Sequence, residues 1–281
     1  MAPTTRPLNN EYTPIPYTDK MANPFSSDEM AAGYAKSRPP VHPLILQRAL
    51  TALGRTQPFP NALDVGCGSG VSTRALEGLA ENTLGIDPAE AMLPWAAQTA
   101  PRARFQVAAA ETLPVADHSV ELITAAGSLN YADLDRFFPE AARALTAAGV
   151  ILVYDFSAGR SFVGDSFVGD STLDTWFSTF ETRYTWPPYE AQCLNPEILA
   201  ARAKGFQLGT HETFEIPVTL TREFYVEYML TETNVASAIR QGTPLSEIRE
   251  WVRTTLSEFW TGPAREIIFR GYYACLLPLQ A

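Results

Sequence analysis

Short apolar runs alternate with amphipathic stretches through the first half of the chain, the rhythm that parallel βαβ units produce. The runs predict strands at Ala62 to Val65, Thr83 to Ile86, Arg104 to Val107, Val120 to Ala125 and Gly149 to Asp155. Helices are predicted near Ser69 to Leu79, Ala89 to Gln98 and Asp135 to Leu145, with another ahead of them over His42 to Leu53. Asn195-Pro196 sets an N-cap before a proline at the first helical position and Gly205 supplies the stop, so 196–204 is predicted helical. A sixth strand follows at Gln207 to Ile216, and Arg265 to Leu277, rich in Ile, Phe and Tyr, predicts a seventh. Between them the rhythm breaks. Leu245, Ile248, Trp251, Val252, Leu256 and Phe259 recur at helical spacing between Thr243-Pro244 and Gly262-Pro263, and Phe224, Tyr225, Tyr228 and Met229 begin a similar helix. The fold class is α/β: a doubly wound, mostly parallel sheet with a helical insertion at 221–261.

The first strand runs through Asp64 into Gly66-Cys67-Gly68-Ser69-Gly70, with glycines at alternate positions and a predicted helix behind them. Lacking a Cβ, such a turn admits left-handed dihedrals and brings a ligand against bare backbone, while the helix start aims unpaired N–H groups at it. The second strand ends in Asp87, where folds of this kind grip ribose hydroxyls. A nucleoside-containing cofactor is expected. A dinucleotide fingerprint needs its third glycine where Val71 stands, which disfavours a nicotinamide oxidoreductase. Ligands in such sheets lie at the carboxyl ends of the strands, so Asp64, Asp87, Gly127 to Tyr131 and Asp155 share one rim.

The G-x-G-x-G turn preceded by Asp64 resembles motif I of the class I S-adenosylmethionine-dependent methyltransferases. Ala110-Glu111-Thr112-Leu113-Pro114 with Asp117 to Ile123, and Ala142 to Val153, are similar to two further stretches of the ubiquinone/menaquinone-biosynthesis-like (type 11) branch. The resemblance covers roughly residues 30 to 156. It implies a Rossmann-like, seven-stranded sheet with an antiparallel last strand, S-adenosyl-L-methionine as cofactor, and methyl transfer to a small-molecule acceptor. Matching positions imply cofactor contacts at Tyr34, Arg38, Asp64, Gly66, Cys67, Gly68, Gly70, Asp87, Pro88, Met92, Ala110, Glu111, Gly127 and Ser128. Ala109 stands where the family commonly has an acid that accepts from the adenine amino group. One such bond is worth only about 0.5–1.5 kcal/mol.

Residues 1–24 are proline-rich and polar, composed as a mobile arm, and 25–281 reads as one methyltransferase domain. Within it the resemblance implies that 25–156 is the cofactor half and that Tyr34 and Arg38 close the site, Arg38 toward the cofactor carboxylate; a surface Tyr and Arg near a helix start account for the same residues equally well. Residues 157–194 form a loop region that holds a local duplication, Ser161 to Asp165 repeated as Ser166 to Asp170, and an aromatic cluster. Residues 221–261 form a helical lid. Acceptor-side candidates are Asn130, Trp176, Tyr225, Tyr228 and Met229; Tyr131 and Asp155 are the candidates to orient or deprotonate an acceptor. A strand-end acid capping a loop accounts for Asp155 equally well.

A net charge of −10 and the lack of a basic cluster argue against nucleic acid as partner. Three cysteines without ligand spacing give neither a metal site nor a disulfide framework. With no signal pattern and no apolar run near the roughly 18 residues of a span, no membrane partner is expected and the cytoplasm is the expected compartment. An S-adenosylmethionine-binding scaffold without catalysis fits the same motifs. Acceptor identity, methylated atom and oligomeric state are not encoded in any motif.

Overall fold

The computed structural model describes Gly33 and residues 36–164, 173–186 and 191–279. Tyr34 and the proline-rich arm lie outside these residues, as does much of the duplicated segment. Eight strands form one sheet in the order β3-β2-β1-β4-β5-β8-β6, with β7 paired to β8. They are β1 (Phe59–Val65), β2 (Ala80–Asp87), β3 (Arg104–Val107), β4 (Val120–Ala126), β5 (Leu145–Phe156), β6 (Ser161–Phe162), β7 (Phe206–Thr221) and β8 (Ala264–Pro278). The first five pair in parallel, and β8 runs antiparallel to β5, β6 and β7. This is the expected doubly wound α/β sheet with an antiparallel end. The eighth strand, β6, is a two-residue addition to the seven expected.

Helices cover both faces. On one, α1 (His42–Ala52), α5 (Leu173–Arg183), α7 (Arg222–Met229), α8 (Thr233–Arg240) and α9 (Leu245–Leu256) share a core with Leu122, Leu152, Tyr154 and Phe269. On the other, α4 (Leu134–Ala144) and α6 (Pro196–Arg202) pack Phe137, Phe138 and Leu199 against Leu63, Ile123 and Ile151. The remaining two are α2 (Val71–Arg74) and α3 (Leu93–Thr99). Asn195 caps α6 as expected, its side chain accepting from Ile198 N at 2.7 Å.

Local departures have physical causes. The helix expected at Ser69 to Leu79 shrinks to the single turn α2, because Ser72 and Thr73 turn their hydroxyls to Asp64 and Gly78, at φ +82°, redirects the chain into β2. The helix expected from Ala89 begins as a 3₁₀ turn at Glu90–Met92, and α3 restarts where Pro94 is tolerated in a first turn. Strand β7 continues past Ile216 through Pro217, since β7 pairs only with β8 and an edge strand can spare one N–H. Residues 157–194 contain a full helix, α5, rather than loop alone. Among the described residues no helix is long and apolar enough to cross a membrane.

At the start of α1, His42 lies edge-on to Tyr154 and Phe156, with Nδ1 2.9 Å from the Tyr154 hydroxyl. Burial, assisted by the Arg38 charge, pushes its pKa down from 6.5 to about 3. The unfolded chain therefore binds a proton in this window that the folded chain refuses, and His42 makes stability fall as pH drops from about 6.5 toward 3. One group contributes at most about 1.4 kcal/mol per pH unit. Urea unfolding between pH 7 and 5 should show a steeper acid loss for the wild type than for His42→Gln. Parallel curves would show that the histidine does not titrate differently on folding.

Candidate functional site

The turn after β1 is held from behind. Gly66 N and Cys67 N donate to Ile86 O at 2.8 and 2.9 Å, and Gly70 N donates to Cys67 O at 2.9 Å. Gly66, Gly68 and Gly70 have φ of +70°, +51° and +83°, the left-handed region that glycine enters freely. Their surroundings differ. A Cβ on Gly66 would lie 2.3 Å from Ser128 Cβ and one on Gly70 2.8 Å from Ala96 Cα, whereas one on Gly68 meets nothing within 4 Å. Gly66 and Gly70 permit packing; Gly68 presents bare backbone to open space. Beside it Ser69 is buried, its hydroxyl without a partner among the described residues.

Asp87 closes the crevice at the end of β2. Its Oδ2 accepts from Gly68 N at 2.9 Å and its Oδ1 from Ala89 N at 2.8 Å, so the acid and the glycine turn are one hydrogen-bonded unit. Burial pushes the carboxyl up, and the two N–H donors pull it back. Pro88 beyond it is exposed, while Met92 and Cys67 are buried. Burial and the nearby charges of Asp64 and Asp87 push the Cys67 thiol far up, so it stays neutral and serves as a small apolar side chain.

Asp64, an expected cofactor contact, is bound on both carboxylate oxygens by side chains of the fold. It is fully buried, with Oδ2 accepting from Ser72 Oγ at 2.7 Å and Thr73 Oγ1 at 2.6 Å, and Oδ1 from Thr124 Oγ1 at 2.8 Å. These bonds fasten the end of β1 to α2 and to β4. Nothing in the motif distinguishes a strand-end acid that meets ligand from one that meets Ser72 and Thr73 of the following turn.

The rest of the rim is assembled from separate strands. Ala110 is half-buried after β3, and Glu111 Oε1 accepts from Asp133 N at 2.7 Å. After β4, Gly127 sits at φ +62° and Ser128 Oγ donates to Val65 O at 2.6 Å, tying β4 to β1. Asn130 Nδ2 donates to Asp155 Oδ2 at 3.2 Å, while Tyr131 is 56% exposed. Arg38 reaches over from ahead of α1, its Nη1 3.2 Å from Glu232 Oε1 and its guanidinium 5.3 Å from the Tyr228 ring centroid. Gln192 and Glu232 were not foreseen from sequence. Neither lies in a motif, and only their contacts reveal them.

Four acceptor-side candidates are buried side chains. Trp176, Tyr225, Tyr228 and Met229 are 1%, 0%, 1% and 0% exposed and belong to the core beneath the insertion. Trp176 Nε1 donates to Thr255 Oγ1 at 2.9 Å, and the Tyr225 hydroxyl to Gly159 O at 2.7 Å. Short helices joined to a sheet hold together by burying their large aromatics, and these four share that role. Asn130 alone of the five candidates stands on the rim.

Removing the Asp64 carboxylate strips the acceptor from three buried hydroxyls. Asp64→Ala should lower unfolding free energy by at least about 2 kcal/mol, read by urea denaturation, with Asp64→Asn milder. A wild-type midpoint for the alanine variant would show that these bonds do not hold the turn.

A family model described as a methyltransferase domain matches residues 63–153. A Dictyostelium discoideum protein named as a methyltransferase is 24% identical over 191 residues, 67% of this chain and 71% of that protein. A Bacillus subtilis protein, uncharacterized beyond the same name, is 29% identical over 136 residues, 42% of this chain and 54% of its own length. The solved structure of a type II methyltransferase, so described, from Anaeromyxobacter dehalogenans superposes with TM-score 0.57 at 25% identity, over 83% of this chain and 96% of that one.

Proposed function

We propose that this chain is a class I S-adenosylmethionine-dependent methyltransferase that binds S-adenosyl-L-methionine over the surface that Gly68 and Asp87 form together and transfers its methyl group to a small-molecule acceptor. The observation that carries the reading is the open side of Gly68, where a Cβ has no neighbour within 4 Å, set against the Asp87 carboxylate. Space for a nucleoside beside bare backbone and a half-occupied acid fits this cofactor. Bound there, it supplies a methyl carbon activated by a sulfonium.

The residues divide the work. Gly66, Cys67, Gly68 and Gly70 cradle the methionyl end, and Asp87 accepts from the ribose hydroxyls with the lone pairs that Gly68 N and Ala89 N leave free. Pro88, Met92, Ala110 and the backbone beside Glu111 flank the adenine. Gly127 and Ser128 border the sulfur. Arg38 offers its guanidinium to the cofactor carboxylate while Glu232 holds its other edge. Residues 25–156 thus form the cofactor half. The insertion at 221–261 covers the acceptor side as a scaffold that fixes Arg38, rather than through its buried aromatics. A net charge of −10 supports a small acceptor over nucleic acid.

Calorimetry should show binding of S-adenosylmethionine and of its demethylated product, with NAD(H) far weaker. Asp87→Ala should cost roughly 1.5–3 kcal/mol of that affinity, since charged acceptors make the stronger bonds. Unchanged affinity in the folded variant would move the ribose elsewhere. Gly68→Ala should weaken cofactor binding while costing only about 1–2 kcal/mol of stability, the left-handed penalty alone. Gly66→Ala should instead damage the fold by collision with Ser128. The reverse ranking in melting and titration experiments would exchange the two roles.

A further inference from the structure

We propose that Asp155 takes the proton from a hydroxyl-bearing acceptor, positioned for this by Asn130, so that the methyl group passes to an alcohol or phenol oxygen. The inference rests on the methyltransferase reading above and names the class of acceptor.

Asp155 ends β5 so close to Gly127 that a Cβ there would lie 2.9 Å from its Oδ1. Ser128, the next residue, occupies the space beside Gly66. A single dipeptide therefore separates this carboxylate from the turn assigned to the methionyl end. Oδ1 accepts from Phe156 N at 2.8 Å and Oδ2 from Asn130 Nδ2 at 3.2 Å. An ionised carboxylate offers about four lone-pair sites, which leaves room for an incoming hydroxyl.

The neighbourhood is built rather than incidental. Gln192 N donates to Asn130 O at 2.9 Å, and Gln192 Nε2 to Leu129 O at 3.0 Å and Ala132 O at 2.7 Å, so the turn carrying Asn130 is braced on both sides. Tyr272 pairs with Asp155 across β5 and β8, and its buried hydroxyl has no partner among the described residues. A buried hydroxyl left unpaired is costly, and a second polar atom of the acceptor would satisfy it. The charged and titratable groups facing this site are Asp155 on β5, Arg38 ahead of α1, Tyr272 on β8 and Cys193 in the segment before α6. Burial raises the Asp155 carboxyl above the usual range, while Phe156 N–H, Asn130 and the Arg38 charge pull it back. A raised carboxyl is a stronger base once ionised.

In the step, a lone pair of the acceptor oxygen forms the O–C bond to the methyl carbon as the C–S bond breaks, and that electron pair stays on sulfur. The hydroxyl proton passes to the Asp155 carboxylate. One negative and one positive charge disappear together, leaving the methyl ether, the neutral thioether and a neutral carboxyl.

Methyl-labelled S-adenosylmethionine offered at mildly alkaline pH with benzyl alcohol, un-ionised there, and with 4-nitrophenol, largely ionised there, tests this. Asp155→Asn should bind S-adenosylhomocysteine as the wild type does by calorimetry, yet lose about 10²–10⁴-fold in transfer to benzyl alcohol. Its loss with 4-nitrophenol should be smaller by about ten-fold or more, because that oxygen has already shed its proton. Asn130→Ala should move the acid limb of the pH–rate profile upward, since the bond it removes holds the Asp155 carboxyl down. Equal losses with both probes, an unmoved acid limb, or no transfer to either hydroxyl overturns the proposal while cofactor binding stands. A wild-type chain that binds no S-adenosylhomocysteine overturns the cofactor reading and this inference with it.

Discussion

The Asp64 carboxylate, sealed from water beneath the glycine turn, is the constraint on which the rest of the site depends. Its three hydroxyl donors come from Ser72 and Thr73 on α2 and from Thr124, its cross-strand partner on β4. One buried acid therefore joins β1, the turn's exit and the neighbouring strand. Burial works against its charge and the three hydroxyls work for it. An unpaired carboxylate at that depth would be prohibitive. The pairing keeps Gly68 facing outward, and through Gly68 N it keeps Asp87 in place. Two acids from two strands thus form one assembly, the inner holding the turn and the outer left to meet a ligand.

The same apolar payload that makes the insertion stable decides what it cannot do. Tyr225, Tyr228 and Met229 lie against Trp176, Phe269 and the sheet face, where aromatic edges meet at about van der Waals separation. What the insertion gives the crevice is polar: Glu232, at the junction of α7 and α8, bonded to Arg38. Burial raises the Glu232 carboxyl, and the Arg38 charge and hydrogen bonds from Arg38 and Tyr228 oppose that. A buried ion pair adds little net stability, but it costs much to leave one member alone. Its effect is to fix where the segment ahead of α1 sits over the insertion.

The sheet was legible because its strands are short apolar runs closed by glycine, proline or acid, and because strand-end chemistry obeys topology. Asp87, Gly127, Ser128 and Asp155 fell on one rim as the rule for parallel sheets requires. Periodicity is blind to what a residue faces. Asp64 and Asp87 are alike in sequence, yet Asp64 is bonded by three hydroxyls and Asp87 by two backbone N–H groups. The apolar stripe of 224–229 gave the helix correctly, and its Tyr225, Tyr228 and Met229 side chains are buried in the core. Helix α8 was missed because its buried face is mostly small and polar, Thr233, Asn234, Ala236 and Ser237 beside Val235, so large apolar residues do not recur along it. Gln192, which braces the turn at Asn130, sits in a loop with no period at all.

Methyl transfer from a sulfonium asks for alignment more than for chemical help. The carbon is already activated, and holding two reactants in line can supply several kcal/mol of the barrier. A protein built for such a reaction invests in rigidity around the point of transfer, and this one does. Gly66 packs on Ser128, Ser128 Oγ bonds Val65 O, Gly127 N bonds Tyr154 O, and Asn130 bonds Asp155 while Gln192 holds its backbone. That chain of contacts runs from the end of β1 across β4 to the end of β5. Distances across the rim are set by strand spacing and by glycines that let neighbours close up. On the proposal of a hydroxyl acceptor, its oxygen is the partner left to be positioned on binding, beside Asp155 at the end of β5, Asn130 bonded to it and Tyr272 across from it on β8.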